Sequence, residues 1–259
     1  MAQRPNRAFI AAHLSDPGAD SIEAFRHALA ITAAADGGLV SFVTTEEDAA
    51  PEASFDRAQI PSNIELVPHQ TEPDDLFEGV RGLRPALVVT ATHRSSDLER
   101  LFQGSHTGRV SRQLSLPTLF LGVEDPGLLD ETGKLGILRV LVPTREPERE
   151  ARAIRGILEL CRTLGLPQPE IVLLGVGDHA PPANEKPHGV DPFSIEWARY
   201  HALGEVAPTI AEFAVSHHAD LVVMVTDGRD SLADGVRGTI TERVIRASSR
   251  PVLALSNRD

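Results

Sequence analysis

Short uninterrupted apolar runs alternate along this chain with stretches whose apolar residues recur every three or four positions. The run from Leu221 to Val225 predicts a strand buried on both faces of a parallel sheet. A polar loop follows. Thr239 or Thr241 then stands where a helix cap belongs, ahead of Ile240, Val244, Ile245 and Ala247 at helical spacing. Pro251 opens a final apolar run, at a strand position that tolerates a missing N–H. Strand, glycine-bearing loop, helix and strand make one βαβ crossover.

The same spacing occurs earlier. Ala86-Leu87-Val88-Val89-Thr90 leads through a polar loop to Gly104-Ser105-His106-Thr107, and Pro117 starts another apolar run. Gly104 precedes Gly238 by 134 positions, as Pro117 precedes Pro251. Arg7 to Ala12 matches Arg139 to Thr144 at an offset of 132. A repeat of this length predicts two copies of one small-domain unit, residues 1–125 and 136–259, joined by a short linker. In the first copy the pattern predicts strands over 8–12, 39–43, 64–68, 86–90 and 118–121, with helices over 21–35 and 74–81. In the second it predicts strands over 138–143, 170–174, 193–200, 221–225 and 252–255. Helices are expected over 147–164, from Gly204 to His217, and after Thr239. Each copy therefore reads as an open, doubly wound parallel sheet, an α/β fold with helices on both faces.

Composition narrows the function. The 259 residues carry a formal charge of −12, which argues against nonspecific binding to nucleic acid or an anionic membrane. No apolar stretch reaches the roughly 20 residues that span a bilayer, and no signal-peptide core follows the N-terminus, so a cytoplasmic protein is expected. The single cysteine, Cys161, lies among Ile157, Leu158, Leu160 and Leu164, and reads as a buried structural thiol.

Candidate chemistry gathers at predicted strand ends. Gly238-Thr239-Ile240 can hold an anion at a helix N-terminus, where N–H groups and the macrodipole converge, with Arg145 and Arg229 adding charge. A helix cap alone is the plainer reading. Gly104-Ser105-His106 offers the same arrangement in the first copy. His13 and His93 fall near predicted strand ends at the switch point, where two imidazoles can bind a metal or titrate near neutrality, but with no third ligand evident solvated histidines are the plainer reading. His217-His218 reads as a helix terminus. The stretch from Gly127 to Lys134 resembles a phosphate loop, but it is one residue too long and Leu135 replaces the Ser/Thr. Asp230 to Gly235 lacks the middle carboxylate of a calcium loop. No G-x-S-x-G and no nucleophile–base–acid set stands out, so no catalytic residue and no metal site are assigned.

The residues just quoted resemble the universal stress protein family, once per half. The family's signature is a strand, G-x-x-G, nine residues, G-[S/T], a helix and a Pro-initiated strand. In the second copy it is matched by Gly228, nine residues, Gly238-Thr239 and Arg250-Pro251-Val252-Leu253; in the first, by Gly104-Ser105 and Leu116-Pro117-Thr118-Leu119. The family's opening strand is similar to Val140-Leu141-Val142-Pro143-Thr144-Arg145. The resemblance implies a tandem, Rossmann-like protein of the adenine nucleotide alpha hydrolase type. It implies a stress-response module whose copies pair through their final strands, with a homodimer allowed. Departures are specific. Val225 and Ala91 stand where the family has its first signature glycine, and Arg94 where it has the second. Arg145 and His13 replace the acid that contacts nucleotide in the ATP-binding branch. A Cβ at such a glycine obstructs the approach of backbone N–H groups to phosphate. The expectation is a non-enzymatic regulatory module that requires no cofactor and does not take ATP in the usual mode. Three alternatives stay open. One is ATP or another adenine nucleotide, with at most slow hydrolysis, bound by the second copy through Thr144, Arg145, Val225, Gly228, Arg229, Gly238, Thr239 and Ile240. The next is a sensor of another small anionic or adenylated ligand. The last is a regulatory partner of a transporter or enzyme.

Overall fold

The computed structural model describes residues 4–15, 21–44, 60–72, 75–92, 116–122, 127–144, 146–178, 184–226 and 239–257. The chain divides into two compact units. The first is Met1–Val123 with Leu129–Leu135; the second is Glu124–Leu128 with Gly136–Asp259.

In the first unit the strands are β1 (Ile10–Leu14), β2 (Gly38–Thr44), β3 (Glu65–Thr71), β4 (Leu87–Thr92) and β5 (Thr118–Gly122), with helices α1 (Ser21–Ala34) and α2 (Leu76–Leu83). The sheet order is β3-β2-β1-β4-β5, and every pair is parallel. Successive residues of a strand face opposite sides, which builds two cores from one sheet. Ile10, Ala12 and Leu14 of β1 join Val40, Phe42 and Val88 against Leu76, Val80 and Leu83 of α2. His13, of the other parity, meets Phe25 of α1 edge-on at 5.3 Å.

β1 starts and ends two residues later than its sequence predicts. The apolar pattern stops at the polar His13. The ladder continues because His13 is fully buried and its Nδ1 lies 3.1 Å from the Ser41 hydroxyl on β2. A buried polar side chain that finds a partner belongs to a core as well as a Leu does.

The second unit contains β6 (Arg139–Pro143), α3 (Pro147–Thr163), β7 (Glu170–Val176), β8 (Trp197–Ala202), α4 (Val206–Ser216), β9 (Leu221–Thr226), α5 (Ile240–Ala247) and β10 (Val252–Ser256). Its order, β8-β7-β6-β9-β10, is again wholly parallel. Asp220 accepts from the N–H groups of Leu138 and Arg139, at 2.8 and 2.9 Å, and so fixes the amino ends of β9 and β6 side by side. Cys161 is buried in α3, and burial pushes its thiol up to about 11, which leaves it inert at neutral pH. Close approach of α3 to the sheet depends on Gly156: a Cβ there would lie 2.5 Å from Leu255 Cδ1 on β10.

Right-handed crossovers place α3 on one face, because β6 to β7 runs towards one edge of the sheet. The connections β8-α4-β9 and β9-α5-β10 run the other way, so α4 and α5 share the opposite face and touch each other. The direction reverses between β6 and β9. Outside the carboxyl ends of these two strands lies the crevice where open α/β sheets take ligands.

The expected strand over 193–200 is displaced to Trp197–Ala202. Asp191 holds the preceding segment as a turn, accepting from the Phe193 N–H at 3.0 Å, and Phe193 is 88% exposed. Among the described residues no helix is long and apolar enough to cross a membrane.

Candidate functional site

The rim of the second unit's crevice begins where β6 ends. The Thr144 N–H continues the ladder to Leu174 O at 3.0 Å, and the chain then turns into α3. Thr144 Oγ1 donates to Glu146 O at 3.1 Å and accepts from Glu146 N at 3.2 Å, so this hydroxyl serves the turn. Val225 is half-buried near the end of β9. Its carbonyl accepts from Arg149 Nη1 of α3 at 3.3 Å.

Across the crevice α5 starts at Thr239 with a capping box. Thr239 Oγ1 accepts from the Glu242 N–H at 3.2 Å, and the Glu242 carboxylate accepts from the Thr239 N–H at 3.1 Å. This answers which threonine caps the helix. It also changes the electrostatics. The N-terminal N–H groups and the positive end of the helix dipole are what draw a phosphate to a helix. Here two of those N–H groups are taken, and a carboxylate buried to 5% exposure stands beside them. Ile240 follows, 45% exposed. Arg145, Gly228, Arg229 and Gly238 lie outside the described residues.

One stretch of α3 ties this rim together, and sequence reasoning did not single it out. Arg149 holds the end of β9, as above. Arg152 Nε donates to the carbonyl of Ser256 at the end of β10. Between them, Glu150 is 1% exposed and forms a bidentate pair with Arg199 of β8, at 2.7 and 2.9 Å. Glu150 also accepts from the His188 N–H at 3.0 Å, and Arg199 Nε donates to Glu185 O at 2.9 Å. The signal for this pair was faint: a lone Arg at an inward position of a predicted strand, among residues that read as surface. Gly189 completes the fit. Its φ is +71°, and a Cβ there would fall 2.4 Å from Ala151 Cβ.

In the first unit, His13 lies inside β1 with no exposed surface, so it faces the core and not the crevice. His93, Gly104, Ser105 and His106 lie outside the described residues. Among the described residues no group of His, Cys, Asp and Glu could hold a metal ion.

His217 ends α4 as predicted, with its ring stacked on Phe213 at 3.6 Å and edge-on to Tyr200 at 4.9 Å. The stretch that resembled a phosphate loop is a small hairpin closed by Leu129 and Leu135. Asp130 Oδ1 accepts from Thr132 N, Thr132 Oγ1 and Lys134 N at 2.9, 2.6 and 3.0 Å, so those donors serve a carboxylate of the chain itself. The Thr132 hydroxyl, above all, holds the Asp130 carboxyl below the ordinary carboxylate range.

Residues 198–256 match the family model described as Universal stress protein family. No curated protein matches the chain. Its fold is similar to that of a universal stress protein from Archaeoglobus fulgidus, at 15% identity over 95% of this chain and 96% of that one, with a TM-score of 0.59. It is similar also to a functionally unknown protein from Pseudomonas aeruginosa, at 14% identity over 96% and 93%, with a TM-score of 0.62. A universal stress protein solved in complex with cAMP matches 47% of this chain and 98% of its own, at 16% identity and a TM-score of 0.36. The α/β fold with its parallel strands is thus the fold of the first two of these structures.

Proposed function

We propose that this chain, which carries a universal stress protein match over residues 198–256, is a non-enzymatic regulatory module that does not take ATP in the usual family mode. The observation that carries this reading is the capping box of Thr239 and Glu242, which supplies the start of α5 with its own carboxylate. An incoming phosphate at that place meets a like charge and must displace two hydrogen bonds. Val225 in place of a glycine and Arg145 in place of an acid act in the same direction. The same reading makes the chain a tandem cytoplasmic protein whose two copies, 1–125 and 136–259, pair through their final strands.

The test is a titration with ATP, ADP and AMP, following Trp197 fluorescence and the thermal midpoint together. We expect no saturable change at millimolar nucleotide. A saturable change with a rising midpoint sinks the proposal, because ligand that binds the folded state raises its stability.

A second reading is favoured by where the family match falls, since residues 198–256 include the β9–α5 connection. In that reading the second copy binds an adenine nucleotide through Gly228, Gly238 and Thr239. Gly238→Val should then abolish nucleotide binding at an unchanged midpoint of the free protein, and an affinity equal to that of the original chain excludes this site.

A further inference from the structure

We propose that the outer edge of β8 is an interface at which two copies of this chain pair, antiparallel, about a twofold axis. β8 is the outer strand of the second unit, as β3 is of the first. In an outer strand of a parallel sheet, alternate residues bond inward and the others present their N–H and C=O groups outward. The two outer strands treat those outward positions differently.

In β3 the Glu65 N–H bonds to Gly37 O, so Glu65, Val67, His69 and Thr71 bond inward to β2. Leu66, Pro68 and Gln70 face out. The middle of that row is a proline, which has no N–H to offer and guards an edge against further pairing. In β8 the Ile171 N–H bonds to Glu196 O and the Gly177 N–H to Ala202 O, each at 2.9 Å, so Ala198, Tyr200 and Ala202 bond inward to β7. Trp197, Arg199 and His201 face out. None is a proline, and among the described residues their backbone groups have no partner. The charge in this row is not a guard either. The Arg199 side chain has 0% exposure and is neutralised by Glu150.

The side chains choose the occupant. With Arg199 on the twofold axis, Trp197 of one copy falls opposite His201 of the other, and Ala198 falls opposite Tyr200. The outward residues form the hydrogen-bonded pairs. Ala198 and Tyr200 therefore form the closer pair, with Cα atoms about 4.5 Å apart, where side chains crowd most. There a methyl group meets a ring. Tyr200 is 39% exposed on its open side, and its ring lies 5.3 Å from that of Phe213 and 4.9 Å from that of His217. No like charges are opposed, because each Arg199 keeps its own Glu150. The strand complements itself, although the chain as a whole, at −12, repels its copies. A second copy of this chain is the partner that this edge fits. The surface lies apart from the crevice between β6 and β9 and from β10, so nucleotide binding that overturns the proposed function leaves it standing.

The experiment is sedimentation velocity on the full chain over a concentration series reaching about 100 μM, where a pair of modest affinity is populated. Amide exchange is followed residue by residue over the same series. We expect dimers, with the amides of Trp197, Arg199 and His201 exchanging more slowly as concentration rises and that of Gln70 on β3 unchanged. His201→Pro repeats in β8 the device of Pro68, because it removes an outward N–H and leaves the bonds to β7 in place. By symmetry it takes two hydrogen bonds from the dimer and should weaken it by about thirtyfold or more. His201→Val keeps the N–H and loses only the imidazole, which lies 2.7 Å from Gly177 O, and should pair as the original does. The thermal midpoint in dilute solution shows whether each variant is folded; if His201→Pro is not, the exchange of the original chain decides. An original chain that stays monomeric overturns the proposal. So do dimers whose β8 amides ignore concentration, a folded His201→Pro that pairs as tightly as the original, or a His201→Val as monomeric as His201→Pro.

Discussion

Glu150 and Arg199 are charged side chains enclosed by protein, and that makes each of them costly to lose alone. With Glu150→Ala, Arg199 keeps its charge in a site with 0% side-chain exposure. Breaking such a pair from one side costs about 3–5 kcal/mol, most of it the stranded charge. We expect Glu150→Ala to lower the unfolding free energy of the second unit by that order, measured by urea denaturation followed through Trp197. The double variant Glu150→Met, Arg199→Met should lose less than the two single changes summed, because no buried charge remains. A double change as costly as the sum would show that the two side chains are not coupled. Neither residue was legible as a partner of the other. They lie 49 positions apart, and nothing in the local pattern of α3 or β8 brings them together.

At the scale of elements, α5 depends on its cap. It has only eight residues, short for a helix that must hold itself, so its amphipathic face and its N-terminal bonds carry it. Thr239→Ala should cost about 1 kcal/mol and lower the midpoint by a few degrees. Thr239→Ser, which keeps the hydroxyl, should cost clearly less, and equal losses would mean that the cap contributes nothing. Sequence alone left Thr239 and Thr241 both open as the cap, although the deciding signal is local: only Thr239 has a Glu three residues on. Local signals also bound α3, which starts at Pro147 and ends before Gly165 at φ +63°. β1 and β8 were placed two to four residues off for the opposite reason. Their true limits follow from tertiary partners, Ser41 for His13 and the Asp191 turn for Phe193, which no local pattern contains. The rim of the crevice was legible only in part. Thr239 was one of two threonines open as the cap, whereas Arg149, Glu150 and Arg152 acquire their roles only when β8 and the ends of β9 and β10 arrive.

For the whole molecule, the described strands of each unit follow one order, β3-β2-β1-β4-β5 and β8-β7-β6-β9-β10, parallel throughout. In each unit the last strand in chain order, β5 or β10, is bonded to β4 or β9. The proposed pairing of the two copies is checked by expressing residues 136–259 alone and measuring mass in solution. We expect self-association or poor solubility, and a soluble monomer would count against the pairing.

The run from Arg149 to Arg152 has a consequence for how this chain can change length. Each residue added to a helix turns everything beyond it by about 100°. Three strands are fastened to about one turn of α3, so one inserted residue between Arg152 and Ile154 would swing all three fastenings out of phase with the buried Ile154 and Ile157 at once. The connection after β7 meets α3 and β8 through Glu185, His188 and Gly189. A change of length in the first turns of α3 is therefore felt at three strands together.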